Sequence, residues 1–248
     1  MKHRLLFLAT AERLACALAL AFAAGAAHAV WTWPDITTGS MIRANLNWLR
    51  QHQKCGPAGV NPAGFCIGNP SGSRQTQRAN AALLYTGADF ATTAGIDQLV
   101  ASFPAENQPQ IAQVFKTLIV TFNKTAPRTF GIPANNLATA FAAILAGSYA
   151  AYTNQPFPEN AVKPLYRQIR QAMLNNPNLS QGSMEEKNAM YQMWVGVGAY
   201  MLGWQAELAK HPDPQQQAQM QKAGADILRS LSIDPDRVSF TTSGMQMD

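Results

Sequence analysis

The chain has 248 residues, of which 47% are hydrophobic and only 13% charged, with 19 Lys and Arg against 14 Asp and Glu. That length lets one domain, or one domain with an appendage, bury a sizeable core. No run of basic residues lies beside aromatic platforms, which excludes the usual footprint of a nucleic-acid binder.

Taken in chain order, the first 29 residues read as a secretory signal. Met1–Arg4 supplies positive charge, residues 15–27 form the apolar stretch, and Ala27-His28-Ala29 is a small-x-small site for cleavage after Ala29. Cys16 does not suit a lipoprotein site, because Arg13 precedes it and the apolar run continues past it. The chain is therefore expected in the periplasm or outside the cell. Residues 30–248 keep all but three of the Lys and Arg and all but one of the Asp and Glu, a formal charge of +3.

Residues 30–72 form an N-terminal segment with an extended lead-in, Val30-Trp31-Thr32-Trp33-Pro34, and a short helical pattern at Ile42, Leu46 and Leu49. Cys55 and Cys66 flank a loop with three Gly and two Pro, which no helix tolerates. In an oxidising compartment such a pair predicts a disulfide, contributing roughly 3 kcal/mol for so short a loop. Metal binding by the two cysteines and His52 lacks a fourth ligand.

Residues 73–248 read as an all-α domain, a bundle of five or six substantial helices joined by short connections. One helix is expected near residues 74–85 and another under Ile96, Leu99, Val100 and Phe103. The next carries Ile111, Val114, Phe115, Leu118, Ile119 and Phe122 at three- and four-residue steps, with Asn107 and Gln110 at its start and Pro127 limiting its end. From Leu137 to Tyr152 no residue is charged, yet the run is alanine-rich and shorter than the roughly twenty apolar residues a bilayer requires. Large residues on one face and alanines on another predict a core helix whose small ridge lets neighbours approach closely. Val162, Leu165, Ile169 and Met173 mark the following helix, to about Asn175. Ser183 and Glu186 form a capping box that opens a long helix to about Lys210. Asp213-Pro214 caps the last helix, with Gln216 at its third position and Met220, Ala223, Ile227 and Leu231 inward. The tail turns at Asp234-Pro235 and holds one alternating run, Val238 and Phe240.

The catalytic inventory is thin, and no cofactor motif or catalytic residue emerges. Gly196, Gly198 and Gly203 lie within a helix and follow no strand, so they form no phosphate loop. His52 precedes the stapled loop, and His211 suits a helix C-terminus. A cell-wall glycosidase would need a pair of glutamates. Glu106, Glu159, Glu185 and Glu186 are explained by helix starts, which leaves Glu207 near a helix end. Met190, Met193, Trp194, Val197, Met201, Trp204 and Leu208 line one face of the long helix. Most such stripes are core, but Met193, Trp194, Met201 and Trp204 also suit the wall of a site for a small apolar ligand or lipid.

Arg78-Ala79-Asn80 with Leu83, then Gly131-Ile132-Pro133-Ala134-Asn135-Asn136-Leu137, then the capped long helix and Ile233-Asp234-Pro235-Asp236, resembles an uncharacterised family of exported bacterial all-helical proteins, a domain of unknown function. The resemblance spans about Ser71 to the C-terminus. Its members place Asp before Pro where this chain has Pro133 before Ala134. It implies export and a helical fold and brings no activity with it. The expectation is a non-enzymatic binding or accessory protein whose partner is an envelope or extracellular protein. Carriage of an apolar ligand and glycoside hydrolysis are the alternatives.

Overall fold

The computed structural model describes residues 81–87, 90–174 and 182–247. The signal segment, the Cys55–Cys66 staple and the start of the helix expected near residue 74 lie outside the described residues. Within them the chain is mostly helical: α1 (Ala94–Val100), α2 (Gln108–Thr125), α3 (Leu137–Thr153), α4 (Glu159–Leu174), α5 (Met184–Lys210) and α6 (Pro214–Ser230). A short hairpin follows, β1 (Val238–Thr241) and β2 (Gly244–Met247).

The helices start where short polar side chains can take the free N–H groups of a first turn. The Asn136 carboxamide accepts from the N–H groups of Ala138 (3.0 Å) and Thr139 (3.4 Å) to open α3. Ser183 and Glu186 exchange side-chain bonds with each other's backbone N–H in the expected capping box. Asp213 accepts from Gln215 and Gln216 at 3.0 Å each. Asn107 does precede α2, but its side chain makes no capping bond.

Pro127 does not end the helical path. Without an N–H it breaks the four-residue ladder, and the chain widens into a π-helical turn, Ala126–Phe130. That turn closes at Gly131, whose φ of 62° lets its N–H return to the Ala126 carbonyl.

α3 is buried over almost its whole length and is the core helix its alanines predict. No described helix is long and apolar enough to cross a membrane. α3 packs against α5, α6 and α4, and α5 also packs against α1 and α2. Glycines set these distances. A Cβ at Gly147 of α3 would overlap the Gly198 backbone of α5, and one at Gly198 would overlap the Ala143 carbonyl. Gly224 of α6 lies as close to the Ser148 carbonyl, and Gly95 of α1 to the Ala189 carbonyl. Each contact is backbone against side-chain-free backbone, so the helices approach more closely than side chains permit.

α1 is anchored by an unusual cap. Thr93 makes no capping bond to the helix N–H groups; its hydroxyl donates to Asp97 instead. Gln192 of α5 takes over that role. Its Oε1 accepts from Gly95 (3.1 Å) and Ile96 (3.3 Å), and its Nε2 donates to the Thr92 carbonyl at 2.5 Å. A second buried polar group, the Tyr191 hydroxyl, donates to Asn123 and accepts from the Asn135 N–H.

The hairpin is where the all-α expectation falls short. Val238 and Phe240 were legible, but their pairing with Met247 and Met245 was not. Phe240 stacks edge-on against Tyr149 and Phe157, with centroids 4.8 and 5.1 Å away. The Gln168 carboxamide of α4 bonds both the N–H (2.7 Å) and the carbonyl (3.0 Å) of Met245. An amide thus stands where a third strand would, closing the sheet edge.

Candidate functional site

The last two turns of α5 and the start of α6 meet at a tight corner, Lys210 to Pro214. Trp204, Glu207, Leu208 and His211 recur at three- and four-residue steps, so they share one face of α5. With Asp213 and Gln216 they line an open cleft of about 690 Å³. Glu207 and His211 stand 3.5 Å apart. Trp204 is half-buried and lies parallel to Tyr200, centroids 5.9 Å apart at 11°. Burial pushes the Tyr200 phenol well above its ordinary 10.0, so this lower ring stays neutral.

Asp213 and Gln216 are committed to the helix start: besides the two backbone bonds, Gln216 Nε2 donates to Asp213 Oδ2 at 2.8 Å. The cleft therefore offers an indole surface flanked by one carboxylate, one imidazole and the exposed Lys210. Such a set binds by stacking and hydrogen bonding.

The four residues predicted as an apolar ligand surface are not gathered in one opening. Met193, Trp194 and Met201 are buried in the core, and Trp204 alone reaches the cleft. Trp194 packs edge-on against Phe141 at 5.1 Å, and the Ser148 hydroxyl donates to the Met201 sulfur at 3.7 Å. The Trp194 indole N–H is buried with no partner, an arrangement that costs about 1–3 kcal/mol. An apolar cavity lies elsewhere, among Phe122, Phe130, Ala142, Ala146, Phe157 and Leu165. Its volume is about 70 Å³. An engineered cavity of about 150 Å³ admits a benzene. This one accommodates at most a few carbons of an acyl tip.

Glu159 opens α4, and three further glutamates lie at the two ends of α5. Glu185 and Glu186 sit in the first turn of α5 and Glu207 near its last, roughly 30 Å apart at 1.5 Å per residue. A carboxylate pair for glycoside hydrolysis spans roughly 5–9.5 Å, so Glu207 can pair with neither of the other two across the helix. Among the described residues no three His, Cys, Asp or Glu side chains gather closely enough to hold a metal ion.

Sequence reasoning singled out Glu207, His211 and Trp204 separately and missed that they share a cleft with Gln216. The signal was present in the i, i+3 and i+7 spacing followed at once by Pro212-Asp213-Pro214, which sets the start of α6 beside that face.

Fold and site together define a helical bundle with an open cleft at one helix corner. The chain belongs to DUF6683, a family of unknown function, whose model matches residues 9–248. That match reaches well before Ser71, taking in the signal-like stretch and the Cys55–Cys66 loop. No curated protein and no solved structure matches the chain.

Proposed function

We propose that this is an exported helical protein that acts by binding, with the Trp204–Gln216 cleft as its recognition surface and an envelope or extracellular protein as its partner. The observation that supports this reading is the cleft itself, where a half-buried indole, a carboxylate and an imidazole share one open face. Aromatic anchors that become buried on binding carry most of the affinity in protein interfaces. The signal-like first 29 residues support export, and a Cys55–Cys66 disulfide would staple the N-terminal segment after it.

The test compares partner capture from an envelope extract of the source cell by the intact chain and by Trp204→Ala and Glu207→Gln variants. A specific partner retained by the intact chain and lost by both folded variants supports the reading. Capture unaffected by either substitution removes the cleft from the function.

A further inference from the structure

The opposite end of α5 combines exposed apolar side chains with a buried cation. Among the described residues, Leu83, Tyr85 and Met184 are the large apolar side chains left exposed, at 37%, 46% and 53% of their surface. All three belong to one neighbourhood. Residues 83–87 run along the first turns of α5, where the Lys187 ammonium donates to the Leu83 carbonyl at 3.3 Å and Gly87 lies against Met184 and Asn188. Lys187 is only 5% exposed, and no described carboxylate lies within ion-pair distance of it. Burial without a counter-charge lowers its pKa from the ordinary 10.5. One residue from Tyr85, the Thr86 hydroxyl is buried with no partner. Exposed apolar side chains beside a buried cation with no counter-charge among the described residues describe half of an interface.

We propose that the stretch Trp31–Asp35 of this chain docks on that end face, its two indoles covering Leu83, Tyr85 and Met184 and the Asp35 carboxylate pairing with Lys187. Charge selects the occupant. Asp35 is the one acidic residue between Val30 and Asn80, where Arg43, Arg50, Lys54, Arg74 and Arg78 carry the opposite sign. Periodicity agrees. Pro34 restricts Trp33 to extended backbone, and in an extended stretch residues 31, 33 and 35 project from one side. Docked as an extended strand, the stretch would present two indoles and a carboxylate on one side over roughly 13 Å at 3.3 Å per residue. The described chain also begins at Ala81, beside the patch, so the preceding residues are tethered to it at high effective concentration.

The experiment places the photoreactive residue p-benzoylphenylalanine at Tyr85 in the full chain and maps its cross-links by mass spectrometry. Mixing isotopically light and heavy chains separates bonds within a molecule from bonds between molecules. The expected product is an intramolecular cross-link to the peptide carrying Trp31–Asp35. Cross-links between molecules, to the Cys55–Cys66 loop, or to no peptide overturn the proposal. Asp35→Asn and Lys187→Met should each lower the yield several-fold, and the double substitution no further. An unchanged yield in either single variant, or the same loss in Asp89→Asn, overturns the ion pair. A helical circular-dichroism spectrum shows that each variant is folded.

Discussion

The two ends of α5 and its middle obey different rules. From Met190 to Met201 the helix is buried on every side, its Gly198 pressed onto α3 and its Gln192 capping α1. At the last turns, side chains of mixed chemistry open into the corner cleft, and at the first turn Met184 stands exposed over Lys187. The middle has no room for change, while the ends carry polar and aromatic side chains that face outward. On the proposed reading, stability and recognition are separated along one helix.

That contrast breaks most easily in the middle. Gly198→Leu drives a side chain into the Ala143 carbonyl, which is backbone and cannot rotate away. The expected loss is at least about 3 kcal/mol, read as a collapse of the thermal transition followed by circular dichroism. A transition within a degree or two of the parent would mean that α3 and α5 are not in backbone contact. Gln192→Ala strips the cap from α1 and orphans two buried N–H groups. It should cost about 2–4 kcal/mol in urea unfolding, with faster amide exchange at Gly95 and Ile96.

At the ends the effects are smaller and of a different kind. Trp204→Ala should cost folding only about 1 kcal/mol in stacking, yet weaken partner binding by at least about tenfold. A variant that loses stability and keeps its partner would assign Trp204 to the core. The mildest change is expected at the end of α3, where the Tyr152 hydroxyl donates to Asp236. That bond, with burial and the nearby charge adding to it, raises the phenol pKa above its ordinary 10.0. A raised folded pKa means that the contribution is intact below pH 10 and is lost as pH rises through the folded value. Tyr152→Phe should therefore flatten the stability profile above pH 10 and leave it parallel to the parent below. An unchanged alkaline slope would contradict the bond.

The helices were legible because their periodicity and caps are local. Asn136, Ser183 and Asp213 each act on N–H groups two or three residues away, so their roles can be read along the chain. What escaped was non-local. The Gln192 cap on α1 joins residues nearly a hundred positions apart, and the second strand of the hairpin depends on Gln168 at its edge. Pro127 misled for a related reason: it removes one donor, and only the position of Gly131 decides whether the chain stops or widens. The methionine and tryptophan stripe of α5 was visible, but periodicity alone does not separate a core face from an open one. Gly196, Gly198 and the α3 alanines carried that information in side-chain size, as the sign that neighbouring backbones press against the middle of α5.

The most direct measurement is residue-resolved hydrogen exchange on the intact chain, with and without its captured partner. Residues 141–151 and 190–201 should open only with global unfolding, and partner binding should slow exchange across residues 204–216 alone. If the middle of α5 exchanged as fast as its ends, or the partner protected some other surface, a sealed spine with a working corner would be the wrong description.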